Sequence, residues 1–73
     1  MNNERKFSKT QIGKAVKRYR TEKLNVSQRY IAECCGVNRT TVSRIEAGKI
    51  INGTVLAYML YLGMSIEDIW NAE

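Results

Sequence analysis

Gly36 separates two segments of about eight residues each, and it limits what the middle of this chain can become. Before it, Ile31, Ala32 and Cys35 recur at helical spacing, and after it Val42 and Ile45 do the same. A glycine enters the left-handed backbone region without a Cβ clash, so it ends a helix and lets the chain turn. Ser27 stands at the N-cap of the first segment and Asn38 at that of the second, both residue types that can cap a free backbone N–H. Val37 is the buried residue of the tight turn between them, and Gly48 stops the second segment. The pattern predicts two short helices, over residues 28–35 and from 39 to about 47, joined at an angle.

The rest of the chain keeps the helical period. Ser8 followed by Gln11 fits a capping box, in which the hydroxyl serves a backbone N–H and the amide reaches back. It opens a helix with Ile12, Ala15, Val16 and Tyr19 on one stripe and Lys14, Lys17 and Arg18 off it, running to about Lys23. Leu24, Asn25 and Val26 connect it onward. A fourth helix is predicted over residues 54–62, ending at Gly63. A fifth runs from 66 to about 71, capped by Ser65 with Asp68 at its third position. No strand-like alternation, linker, repeat or proline interrupts these segments. The expectation is an all-α fold of five short helices, with residues 1–7 as a flexible N-terminal arm and 8–73 as one domain.

Composition narrows the function classes. With 73 residues, 44% hydrophobic and 26% charged, the chain reads as a globule too small for a large core, which favours association with a partner. No apolar run approaches the roughly 20 residues of a membrane span, and no signal peptide heads the chain. Histidine is absent, and the only cysteines, Cys34 and Cys35, are adjacent, which suits neither a disulfide framework nor a zinc cage. No metal or cofactor is expected. Nor is an enzyme, since there is no histidine, nucleophile elbow or phosphate-binding glycine loop. Cys35 falls on the core side of its helix and Cys34 on the outside, so both read as reduced, structural thiols of a cytoplasmic protein.

The net charge of +5 is unevenly placed. All 12 Lys and Arg residues lie at or before Lys49, whereas from Ile50 onward the only charges are Glu67, Asp68 and Glu73. One end of the molecule therefore attracts a polyanion, and the other is apolar and mildly acidic. Two short helices joined through a glycine form a helix-turn-helix, whose second helix can enter the major groove of DNA. With Val42 and Ile45 turned inward, that helix leaves Arg39, Thr40, Ser43, Arg44 and Ala47 on one outward face that carries no acid. Arginine can pair bidentately with guanine, hydroxyls serve base edges or phosphates, and a methyl meets thymine. Glu46 lies toward the core, where an unpaired carboxylate is costly.

The segments Ser27-Gln28, Ile31-Ala32, Gly36-Val37, Val42-Ser43 and Glu46-Ala47-Gly48-Lys49, all in register, closely resemble the Cro and lambda-repressor-like helix-turn-helix family, also called the XRE family. The likeness extends over about residues 10–70. It implies a compact five-helix, lambda-repressor-like DNA-binding domain, usually dimeric, that acts as a transcriptional regulator. It implies that Arg39, Thr40 and Arg44, with Ser43 beside them, read bases, and that Gln28 grips phosphate together with Asn38, Lys49 and Asn52. It also implies that Glu46 pairs with Arg20 on the first helix as a structural brace. Two features depart from the pattern. The link Ile50-Ile51-Asn52-Gly53 is short and proline-free, and the connection from helix 1 to helix 2 is about one residue longer than usual.

Helices 4 and 5 hold more apolar surface than one side of two short helices needs, at Leu56, Met59, Leu60, Leu62, Met64, Ile66, Ile69 and Trp70. A homodimer through the C-terminal helix, with Ile66, Ile69 and Trp70 at its interface, is therefore expected. Its partner is double-stranded DNA carrying an inverted-repeat operator, and repression is the expected action because no ligand-binding or activation domain is attached. The alternative is an antitoxin-like module whose apolar C-terminal half masks a partner protein.

Overall fold

The computed structural model describes residues 7–72, in which five α-helices follow one another along the chain. These are α1 (Lys9–Arg18), α2 (Gln28–Cys35), α3 (Arg39–Glu46), α4 (Gly53–Tyr61) and α5 (Ile66–Trp70), and a π-helical turn, Tyr19–Leu24, continues α1. Among the described residues there is no strand, no helix long and apolar enough to cross a membrane, and no group of three or more His, Cys, Asp or Glu that could hold a metal ion. The expected N-terminal arm lies outside the described residues except for Phe7. That residue is not part of a free arm: it is half-buried against the core and meets Trp70 edge-to-face, with ring centroids 5.7 Å apart.

The helix starts follow local chemistry. The hydroxyls of Ser8, Ser27 and Ser65 accept from the backbone N–H three residues on, each at 3.0 Å. At Ser65 the box closes, since the Ser65 N–H donates to Asp68 Oδ2 at 2.8 Å. At Ser8 only half of it forms. The Gln11 amide does not reach back but crosses to α5, donating to the carbonyls of Ile69 (3.1 Å) and Trp70 (3.4 Å). Asn38 holds the N-cap position of α3 with extended backbone, yet its side chain makes no capping bond.

The longer connection after helix 1 takes an unexpected form. Tyr19–Leu24 winds as a π-helix, whose i→i+5 closure takes one more residue per turn than an α-helix. Asn25 leaves it with φ 55°, and the Arg20 carbonyl accepts from the N–H groups of both Asn25 and Val26. The Tyr19 hydroxyl ties the same turn to the end of α4 by donating to the Leu62 carbonyl at 3.2 Å.

The core gathers Ile12, Ala15 and Val16 from α1, Ile31 and Ala32 from α2, and Val42 and Ile45 from α3, closed by Val55 and Met59 of α4 and by Met64, Ile69 and Ala72. α3 packs against both α1 and α2, α5 lies on α1, and α4 lies on α2. The α1–α3 crossing is so close that a Cβ on Gly13 would run into the Ile45 carbonyl, which is backbone and cannot swing aside. Both cysteines are free, Cys34 exposed and Cys35 half-buried. Burial pushes the Cys35 thiol up, and the neighbouring Cys34 adds to the effect.

Two outcomes are expected from this packing. Gly13→Ala should destabilise the fold by about 1–3 kcal/mol through overpacking. Gly53→Ala, whose Cβ meets nothing within 4 Å, should be neutral or slightly stabilising, and chemical denaturation of both variants beside the wild type checks the contrast. Because the thiolate is the nucleophile, iodoacetamide should label Cys34 first, and Cys35 should speed up only as the pH rises past the usual thiol range of about 8.5. Peptide mass spectrometry over a time course reads both sites, and equal rates at pH 8 would contradict the assignment.

Candidate nucleic-acid interface

The turn between α2 and α3 is built as the glycine requires. Gly36 sits at φ 71°, ψ 31°, its N–H bonded back to α2, and Val37 donates to the Ala32 carbonyl at 2.9 Å. This fixes α3 with Val42 and Ile45 buried beneath it. On the other side Arg39, Thr40, Arg44 and Ala47 are exposed and Ser43 is half-buried, one connected face of a single helix. Asn38 is exposed at the entry to this face and Lys49 just beyond its exit. Asn52 is half-buried at the N-cap of α4, where its Oδ1 accepts from the Val55 N–H at 3.0 Å.

The one acid of α3 is turned away from this face and neutralised. Glu46 Oε2 accepts from Arg20 Nε at 2.6 Å and its Oε1 from Arg20 Nη2 at 3.0 Å, a two-pronged pair with side-chain exposures of only 4% and 10%. Arg20 Nη1 also donates to the Val26 carbonyl at 2.8 Å, so the guanidinium joins the π-turn, the link before α2 and the end of α3. The network continues outward: Gln28 Nε2 donates to Glu46 Oε1 at 2.9 Å, and Gln28 Oε1 accepts from Arg39 Nη1 at 3.2 Å. A continuous chain of hydrogen bonds thus runs from a buried arginine to an exposed one. The branch through Gln28 to Arg39 is absent from the sequence reading. Its members are 11 and 18 residues apart, and only the α2–α3 angle brings them together.

The C-terminal residues separate. Ile66 is exposed at 59% and Trp70 at 40%, but Ile69 is 2% exposed and belongs to the core. The expectation that Ile69 lies at a subunit interface is therefore corrected. In a helix as short as α5, the side chain that anchors it to the domain is not also available to a partner.

Comparison with known proteins agrees with this geometry. A family model described as helix-turn-helix matches residues 16–69. No curated protein and no solved structure matches the chain.

The buried pair generates a direct test. Removing either Arg20 or Glu46 should cost the fold about 3 kcal/mol, because the partner is left charged and desolvated. Removing both should cost clearly less than the sum. A double-mutant cycle by urea denaturation measures the difference, and strict additivity would show that the two charges do not interact.

Proposed function

The chain belongs to the Cro and lambda-repressor-like (XRE) helix-turn-helix family of DNA-binding regulators, and we propose that it is a sequence-specific repressor that binds an inverted-repeat operator as a homodimer. The observation that carries this reading is the outward face of α3. Two arginines, two hydroxyls and a methyl are presented together, while the helix's only acid is held in an internal ion pair. Such a face suits the major groove, where an acid would meet phosphate on either side. Repression by occupying the operator asks nothing more of the chain than this interface.

In this reading Arg44 pairs with guanine O6 and N7, Thr40 and Ser43 serve neighbouring base edges, and Arg39 approaches from the start of the helix, steadied by Gln28. Lys49, Asn38 and Asn52 contact phosphate. Gln28 does so through its backbone N–H at the open start of α2, because its side chain already bonds Glu46 and Arg39. Two copies related by a twofold axis place their α3 helices about 34 Å apart, one turn of the duplex. The protein acts in the cytoplasm, where free thiols persist.

Operator fragments selected from genomic DNA supply the cognate site for the test. Arg44→Ala should cost about 1–3 kcal/mol on that site and relax preference at one base pair per half-site. Lys49→Ala should weaken cognate and random DNA alike and make the salt dependence shallower by about one ion. Equal losses on both kinds of DNA for Arg44→Ala would remove it as a reader and pass the role to Arg39 and Thr40.

A further inference from the structure

α4 is the one α-helix among the described residues without a Lys, Arg, Asp or Glu: its sequence is Gly-Thr-Val-Leu-Ala-Tyr-Met-Leu-Tyr. Val55 and Met59 are buried, but Thr54, Ala57, Leu60 and Tyr61 are exposed, Tyr61 at 83%. A helix on a protein surface ordinarily turns a charged or polar face to water, and one that is apolar all round is ordinarily covered. This helix is neither. Its outer side continues onto α2, where Tyr30 is also exposed, and the Tyr58 and Tyr61 rings stack with centroids 6.4 Å apart. Hydrogen bonding to the Cys34 thiol raises the Tyr30 hydroxyl and pushes that of Tyr58 up to about 12.

The occupant follows from symmetry and charge. In a twofold interface the same patch lies on both sides, so an ionised side chain near the axis meets its own image. Like charges juxtaposed in this way are repulsive. The exposed side of α5 carries Glu67 between Ile66 and Trp70, with Asp68 beside it, and two copies meeting there would bring four carboxylates together. α1, α2 and α3 each carry Lys or Arg residues, which in a twofold contact would likewise meet their own images. Among the five α-helices α4 alone has no ionised side chain of its own to meet its image, and it offers tyrosine, a residue type enriched in interface cores. We propose that two copies of this chain associate through the uncharged outer face of α4, centred on Leu60 and Tyr61 with Tyr30 at its edge, and not through α5. The inference rests on the dimeric reading given above and names the surface that reading requires.

Charge substitution at the axis tests it. Tyr61→Glu and Tyr61→Lys change a side chain that is almost wholly exposed, so both variants should keep the wild-type circular dichroism. By sedimentation equilibrium at tens of micromolar, the wild type and Ile66→Lys should dimerise, and each Tyr61 variant alone should be monomeric. An equimolar mixture of the two Tyr61 variants should associate again, because opposite charges then face each other across the axis. On an inverted-repeat operator each Tyr61 variant should lose at least tenfold in affinity while keeping wild-type affinity for a single half-site. Dimers that survive both Tyr61 substitutions, or a mixture that stays monomeric, would overturn the proposal. So would a wild type that binds its operator as a monomer, which would leave the DNA-binding reading standing. A wild type that dimerises through Tyr61 but ignores every DNA would overturn that reading and leave the α4 contact intact.

Discussion

Arg20 and Glu46 face each other inside a very small domain, and their ion pair ties the end of α3 to the turn that follows α1. α3 has only two buried side chains, Val42 and Ile45, to hold it against the core. Desolvating two ions opposes folding by on the order of several kcal/mol each, and attraction offsets this only where the geometry is good and the remaining polar atoms are bonded. Here both carboxylate oxygens accept from the guanidinium, the third guanidinium nitrogen is bonded to the Val26 carbonyl, and Gln28 adds a further donor. An arrangement so specific tolerates one orientation of α3 and few others. Fully bonded in this way, the pair links the turn after α1, the segment before α2 and the end of α3.

The same clamp explains how a basic surface accommodates an acid. With its charge matched at short range by Arg20, Glu46 projects little field toward the exposed arginines. At the other end of the molecule α5 is a cover. Five residues are too few to persist as an isolated helix, and α5 is held by its own capping box and by donors from α1, Gln11 at the Ile69 and Trp70 carbonyls and Arg18 at that of Asn71. The domain is fastened by hydrogen bonds across its seams as well as by its apolar centre.

Much of this was legible in the sequence where the signal is local. Serines before apolar-periodic runs marked three helix starts, Gly36 marked the turn, and the inward placement of Val42 and Ile45 left the exposed face of α3 by subtraction. What escaped was tertiary. Gln11 sits where a capping box wants it, yet α5 offers its amide better acceptors from 58 residues away. Gly13 reads as an indifferent helical residue until α3 is seen crossing over it. Ile69 has the composition of an interface residue and the burial of a core one, a distinction that no pattern within five residues carries. The Gln28–Arg39 contact needs the angle between two helices, which the turn residues imply only in outline.

The π-turn at the end of helix 1 has a bearing on how such a chain can change over generations. An α-turn and a π-turn differ by one residue but leave the helix at nearly the same place, so Tyr19–Leu24 acts as a length buffer between two fixed points, the guanidinium of Arg20 and the start of α2. Tightening this turn to α-helical would shorten the connection by one residue downstream of the bonds that Arg20 makes to Glu46. Insertions and deletions in the α2–α3 turn have no such reservoir, because Gly36 and Val37 are both bonded back to α2. The chain thus has slack in its length before α2 and none between α2 and α3, although the two segments lie within about 20 residues of each other.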